Sequence, residues 1–283
     1  MGEALALRAF VNRVWGFASD STYFPGPQPV SIERQHFPLL KKSAYLACHK
    51  MDGVRHLLAC CETQDGVKRA ALIDRTFAVQ FYTYTLPKDT LLDGELVTRL
   101  SDGKQVFLIH DAMMIRGESL MQMPLSERLM KARALVKTIL TKSPFVTVVK
   151  EMRMLADMRN LEVPPYETDG FIFTPVNEPV RSGTHETMFK WKPRDRITID
   201  FQVYNKADLY IQERGRLIHE TRLNKGEFPD GTIVECDYGD LGWSVVKVRT
   251  DKTYPNNRRT YLRTIVNLRE DIRLEEFYAL VSS

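Results

Sequence analysis

Between Tyr45 and Ile109 the chain is a succession of short apolar runs: Tyr45-Leu46-Ala47-Cys48, Leu57-Leu58-Ala59-Cys60, Ala70-Ala71-Leu72-Ile73, Asp93-Gly94-Glu95-Leu96-Val97 and Val106-Phe107-Leu108-Ile109. Asp65-Gly66 and Asp102-Gly103 fall among them. Asp-Gly favours tight hairpin turns, so the spacing predicts antiparallel strands joined by short turns. Helices accompany this sheet. Leu7, Phe10, Val11 and Val14 recur at helical spacing with Gly16 placed to end the helix. Leu125, Leu129, Ala132, Val136 and Ile139 form a second stripe behind Pro124. After Lys192-Pro193-Arg194-Asp195 the runs Ile199 to Val203, Thr232 to Cys236 and Trp243 to Val248 are strand-like again and suit a small barrel such as an OB-fold. Leu274, Phe277, Tyr278 and Val281 predict a closing helix. The expected class is α+β.

A length of 283 residues exceeds one typical domain of ~100 to 200 residues, which predicts two structural units. With 43% hydrophobic and 27% charged residues the chain is neither disordered nor fibrous. Forty Lys and Arg against 36 Asp and Glu leave +4, which permits a polyanionic partner without requiring one. Cys48, Cys60, Cys61 and Cys236 form no CxxC pair, so neither a disulfide framework nor a zinc knuckle is expected and a reducing compartment is. Arg8 and Arg13 interrupt the first apolar stretch, and no run approaches the ~18 apolar residues of a membrane span. No membrane partner is expected.

Lys50-Met51-Asp52-Gly53 sets an amine two residues before a carboxylate and a sharp turn, with Arg55 just beyond. Alone, this is a surface lysine beside a hairpin turn. In order, however, there follow Asp93-Gly94-Glu95-Leu96-Val97, Phe107-Leu108-Ile109-His110-Asp111, Glu167-Thr168-Asp169-Gly170-Phe171-Ile172-Phe173 and Lys190-Trp191-Lys192-Pro193. Together these fragments resemble the covalent nucleotidyltransferase superfamily of polynucleotide ligases and mRNA capping guanylyltransferases. Phe24 to Ser31 is similar to the FPGxxPVS segment of the capping enzymes, and Arg249-Thr250-Asp251-Lys252-Thr253-Tyr254-Pro255-Asn256 to their RxDKxxPN, which ligases generally lack. Met51 stands where the family commonly has Thr, so any hydroxyl contact there is lost.

The resemblance implies an antiparallel-sheet nucleotidyltransferase domain over 1–197, a small OB-fold β-barrel over 198–268 and a C-terminal helix over 269–283 that is free to pack back on the first domain. It implies an mRNA guanylyltransferase: GTP and Lys50 give lysyl-GMP and pyrophosphate, and a 5′-diphosphate RNA end then takes the GMP as a GpppN cap. Attack requires an unprotonated amine, whereas lysine ordinarily titrates near ~10.4; neighbouring cations and desolvation are what that requires. Lys190 and Lys192 fit that task and would also stabilise charge at the α-phosphate. Arg249 and Lys252 are expected on the leaving pyrophosphate, with Asp251 and Asn256 beside them. By the same resemblance Arg55 and Arg75 contact ribose and phosphates, Glu95 a ribose hydroxyl or a metal, Phe107 and Ile172 sandwich the purine, and Thr147 and Lys150 donate to guanine. Glu95, Glu167 and Asp169 are the expected oxygen ligands for Mg²⁺ or Mn²⁺. A triphosphatase and a cap methyltransferase must be supplied as separate proteins or other domains, and a nuclear location is expected, or a cytoplasmic or virion-associated one for a viral protein. The alternative is an ATP-dependent RNA or DNA ligase of the same superfamily. A catalytically dead scaffold is disfavoured by the intact Lys50, Asp93, Glu95, Asp169, Lys190 and Lys192.

Overall fold

A computed structural model describes residues 2–63, 66–82, 86–138 and 145–281. Asp65 and Ile139, which fall within the turn and helix expected above, lie outside the described residues. The chain forms two compact units, residues 1–30 with 40–190 and residues 31–39 with 191–283. The break thus falls at Lys190 rather than at 197, and the segment after Val30 joins the second unit.

The first unit opens with α1 (Glu3–Trp15), ended by Gly16 in the left-handed conformation with its N–H on the Arg13 carbonyl. Its strands are β1 (Gln28–Ser31), β2 (Tyr45–Met51), β3 (Val54–Glu62), β4 (Lys68–Asp74), β5 (Val79–Tyr82), β6 (Thr90–Thr98), β7 (Gln105–Ile115), β8 (Glu118–Ser119), β9 (Val146–Val149), β10 (Arg153–Met154), β11 (Thr168–Pro175) and β12 (Thr184–Trp191). The helix α2 (Phe37–Lys42) precedes β2, and α3 (Leu125–Val136) follows β8. One sheet has the order β1-β12-β11-β2-β10; the other runs β5-β4-β3-β6-β7-β8, with β9 added parallel to β7.

Alternation along β3, β4 and β6 divides the second sheet into two apolar faces. Leu57, Ala59, Ala71, Ile73 and Leu91 pack under Leu7, Phe10 and Val11 of α1. On the opposite face Leu58, Leu72, Leu92, Phe107 and Ile109 pack under Ala132 and Leu135 of α3. Full burial of each such Leu or Ile contributes about 1.5 to 3 kcal/mol, which holds both helices on the sheet. A third cluster, Met51 with Val97, Val106 and Leu108, brings the end of β2 against β6 and β7.

Two Asp-Gly pairs are no turns, and of these Asp169-Gly170 lies within β11. Asp93-Gly94 lies in the middle of β6, where Asp93 is fully buried. A Cβ on Gly94 would lie 2.5 Å from Phe107 Cζ and 2.6 Å from the Leu108 carbonyl, so glycine is there for close approach of β7. Asp102-Gly103 does turn between β6 and β7, with Gly103 at φ 69°.

The second unit holds β13 (Ile199–Tyr204), β14 (Asp208–Glu213), β15 (Arg216–Arg222), β16 (Ile233–Gly239) and β17 (Gly242–Val248), paired in the order β15-β14-β13-β16-β17. A single parallel bridge, Leu223 to Trp243, joins the two sheet edges, giving the partly open barrel and strand order of an OB-fold. Phe201, Val203, Leu209, Ile211, Val234 and Trp243 fill it, with Leu268 of α4 (Arg258–Glu270) at its end. Asn257 caps α4 by accepting the Thr260 N–H at 2.9 Å. The final helix α5 (Leu274–Val281) buries Phe277 against Phe37 and Trp191, both at 5.6 Å between ring centroids. Its neighbours are therefore residues of the second compact unit.

Candidate active site

Lys50 is the penultimate residue of β2 in one sheet and Val54 opens β3 in the other, so Asp52-Gly53 is the corner where the chain crosses between sheets. A Cβ at Gly53 would lie 2.7 Å from Glu95 Cγ, the Leu96 carbonyl and Val97 Cγ1. Only glycine lets this corner approach β6 so closely. The Asp52 N–H donates to the Glu167 carbonyl at 2.9 Å, which ties the corner to the start of β11.

β11 pairs with β2 so that Gly170 faces Lys50 and Ile172 faces Cys48, with a register shift between Thr168 and Gly170. The irregularity sets Asp169 beside the amine: Lys50 Nζ donates to Asp169 Oδ1 at 2.7 Å, and both side chains are only partly exposed. Ile172 shares the face of Cys48 and Lys50 and is half-buried. Lys150, whose side chain is 4% exposed, lies 3.7 Å from Glu95 Oε2. The buried Cys48 thiol is pushed up by desolvation, opposed by Lys150 and reinforced by Glu95. Lys50, Asp169, Ile172, Glu95 and Lys150 thus converge around the corner.

Beside them lies a second, tighter construction. Asp93 accepts from Arg55 Nε at 2.9 Å and Nη2 at 2.5 Å, and His110 Nε2 is 3.1 Å away. Arg55 also donates to the Pro27 carbonyl at 2.5 Å and lies over the Phe24 ring at 5.4 Å. Gly26 admits it: a Cβ there would lie 2.5 Å from Arg55 Nη2. The Pro-rich segment is therefore the wall of an arginine socket. Burial pushes the Asp93 carboxyl up, but Arg55 and then His110 outweigh it and hold it well below the usual carboxylate range. Arg75 is exposed, donates to Gln28 at 2.9 Å, and is lowered first by desolvation and then by Arg55.

Two expectations require correction. Phe107 is fully buried in the cluster beneath α3, and Thr147 pairs with it in parallel register, whereas Glu95 pairs with Leu108 on the opposite face. A ring with no exposed surface cannot stack on a purine, and Thr147 does not share the face of Glu95 and Lys150. The aromatic ring that β7 does set at the site is His110, which sequence reasoning missed; it occupies the position skipped between the pairs Asp93 to Asp111 and Gly94 to Ile109. Among the described residues no three His, Cys, Asp or Glu side chains form a metal-holding group. Glu167 is exposed, Asp169 is paired with Lys50 and Glu95 faces Lys150.

In the second unit the charged string after β17 folds onto one buried acid, Asp200, that the sequence reading did not single out. Arg249 Nη1 donates to Asp200 Oδ1 at 2.9 Å, and Lys252 Nζ donates to Asp200 Oδ2. Asp251 accepts from Arg249 Nε at 2.9 Å and Nη2 at 2.8 Å, and Glu235 lies 3.4 Å from Nη1. Hydrogen bonding to Asp251, ahead of the charge of Asp200, pushes the Arg249 guanidinium up and holds the Asp251 carboxyl low. Asn256 has a framework task, accepting the Asp200 N–H through Oδ1 at 2.9 Å and donating its own N–H to the Asp200 carbonyl at 2.8 Å. Lys190 ends the first unit within β12 and Lys192 lies in the second, both half-buried.

The sequence matches the model of the mRNA capping enzyme catalytic domain over residues 2–194. The chain belongs to the mRNA capping enzyme family. The C-terminal domain of the same family matches residues 175–278. The mRNA-capping enzyme subunit alpha of Schizosaccharomyces pombe is 34% identical over 234 residues, covering 71% of this chain and 58% of that protein. The mRNA-capping enzyme of Danio rerio is 24% identical over 296 residues, covering 90% of this chain and 49% of its own length. The chain thus spans about half the length of these capping-enzyme relatives. The ligase domain of LigD from M. tuberculosis aligns with a TM-score of 0.39 at 13% identity, covering 83% of this chain and 97% of that one, too remote to assign chemistry.

Proposed function

We propose that this capping-family chain is an mRNA guanylyltransferase whose nucleophile is Lys50. In the first half-reaction the Nζ lone pair attacks the α-phosphorus of GTP, the bond to the β-phosphate oxygen breaks, and pyrophosphate leaves. A proton must depart from Nζ; Asp169 is the acceptor in contact with it. In the second half-reaction an oxygen of a 5′-diphosphate RNA attacks the same phosphorus, the P–N bond breaks as Nζ takes back the proton from Asp169, and the lysine leaves as the amine. The observation that carries the reading is the corner itself, which holds one lysine against Asp169 with Glu95 and Lys150 close by.

Glu95 and Asp169 offer hard oxygen donors without forming a closed cage, which suits Mg²⁺ or Mn²⁺ completed by substrate phosphates. Such a cation supplies charge neutralisation at the phosphates. The protein's own part is positional: Arg55 is spent on Asp93 and stiffens the floor, while Lys190 and Lys192, both half-buried, keep the phosphate-stabilising role that the family resemblance implies. The acceptor implies an RNA triphosphatase before this step and a cap methyltransferase after it, and a nuclear location follows for a cellular enzyme.

Incubation with α-labelled GTP should give label on the denatured protein, and Lys50→Ala should abolish it. Persistent label in that variant would remove Lys50 from the role. GTP should outcompete ATP by at least ~10-fold, about 1.4 kcal/mol, because one unmatched buried donor or acceptor costs that much. Equal labelling by ATP would bring the ligase reading to the front.

A further inference from the structure

The turn between β4 and β5 carries Arg75 and is held in a conformation that its residue types do not favour. Phe77 has a backbone φ of 62°, in the left-handed region that a bulky side chain rarely adopts. Its ring is nonetheless buried, at 3% exposure, in the cluster that includes Leu7, Phe10 and Val11 of α1, and the Arg8 guanidinium lies 5.6 Å from its centroid. The ring is a plug that fixes the turn to the helix. From the other end Asp74 grips the same turn: its Oδ1 accepts the Thr76 N–H at 2.8 Å, the Thr76 hydroxyl at 2.7 Å and the Ala78 N–H at 2.9 Å. Burial pushes the Asp74 carboxyl up, but the Thr76 hydroxyl and the two N–H groups, with the charge of His56 behind them, outweigh it and hold the carboxyl low.

What this mount presents is Arg75. Its guanidinium donates to Gln28 Oε1 at 2.9 Å, while Arg55 donates to the carbonyl of the preceding Pro27, so consecutive residues of the Pro-rich segment receive the two arginines. Arg55 is neutralised by Asp93. Arg75 pairs with no carboxylate among the described residues, and its side-chain partner there is a neutral amide. An exposed planar donor fork without a counter-charge suits a phosphate, and a turn kept rigid by two independent holds lowers the entropy cost of placing it. A turn whose only duty was to join two strands would be served by a glycine at 77.

We infer that Asp74 and Phe77 are positioning residues, which hold the turn so that Arg75 meets the phosphates of the nucleoside triphosphate. The inference rests on the guanylyltransferase reading for its ligand and adds the two residues that set the geometry of one contact to it. Both act through Arg75, so neither matters to the nucleotide once that guanidinium is gone.

The test is a double-mutant cycle on the full chain, with binding of α,β-methylene GTP read by calorimetry in Mg²⁺; the methylene bridge is not cleaved, so no adduct forms. Arg75→Ala, Asp74→Ala and Phe77→Ala should each weaken binding by about 10-fold, whereas Asp74→Asn, which keeps an acceptor oxygen, should bind as wild type. In the Arg75→Ala background Asp74→Ala and Phe77→Ala should weaken it no further. A loss that persists undiminished in that background would mark Asp74 and Phe77 as mere supports of the fold and overturn the inference, as would wild-type affinity of both alanine variants. Should one alanine variant fail to fold, the other carries the cycle. Tight binding of α,β-methylene ATP in place of the GTP analogue would strike the guanylyltransferase reading instead, and the same cycle run on it decides the mount, because both nucleotides carry the same phosphates.

Discussion

Asp93 in the first unit and Asp200 in the second are both buried acids that gather cations on a sheet, but their cations are held on different terms. Asp93 is sealed: its side chain is 0% exposed, its Arg55 partner 16%, and the third guanidinium nitrogen donates to a backbone carbonyl. Around Asp200, Arg249 is shared among three carboxylates, of which Asp251 is 62% exposed. A pair shut away from water fixes geometry, because neither partner can leave without stranding the other. A pair held by an exposed carboxylate is worth little in water, so its cation can exchange that carboxylate for a phosphate at low cost. The first cluster suits a floor and the second a set of arms.

The sharpest way to break this contrast is to remove the buried acid. Asp93→Ala should destabilise the protein by about 3 to 5 kcal/mol in urea titration, since it leaves Arg55 buried without a counter-charge. In the wild-type protein the Asp93 carboxyl is held low, so its contribution is complete above the unfolded value near ~3.9 and is lost as pH falls through the folded value. Stability of the wild type should therefore drop more steeply below pH ~4 than that of Asp93→Asn. A loss under ~1 kcal/mol for Asp93→Ala would place the two clusters in one class.

Kinetic separation of the half-reactions comes next in size. If Arg249 and Lys252 act on the leaving pyrophosphate, Arg249→Ala and Lys252→Ala should each slow loading with GTP by ~10²-fold or more and leave transfer from preformed lysyl-GMP nearly intact. The chase is read after free GTP is removed, using 5′-diphosphate RNA. Equal damage to loading and chase would show that these cations belong to a fixed site or to RNA binding. Smallest of all should be Asp251→Asn, which releases one exposed partner of Arg249; the expected change in stability is below ~1 kcal/mol by urea titration.

Much of this arrangement was legible in the residues. The helical spacing of Leu7, Phe10 and Val11 marked the helix that Gly16 ends, and the apolar runs marked β2, β3, β4, β6 and β7. The Lys50 corner was legible because Asp52-Gly53 does turn the chain there. The choice between Phe107 and His110 was not, since residue type favours phenylalanine for stacking and only the register with β6 tells which parity of β7 faces Glu95. Alternation gives two faces; it does not say which is catalytic. Asp200 escaped notice because its importance is non-local: nothing near it in sequence announces that Arg249, Lys252 and Asn256 fold back onto it. Asp93 was read as part of a motif, while its bond to Arg55 required the pairing of β3 with β6.

Gly53 gives the site an unusual mechanical property. With no room for even a methyl group between the corner and β6, the strand that carries Lys50 and the strand that carries Glu95 and Asp93 are geared together rather than merely adjacent. A shift of one drags the other, so the lysine and the acids cannot be adjusted independently by local substitution. For anyone wishing to retune this site by laboratory selection, the corner is a fixed pivot: libraries randomised at 53 should return glycine alone, and useful variation must come from the rims, where side chains can move without turning the gear.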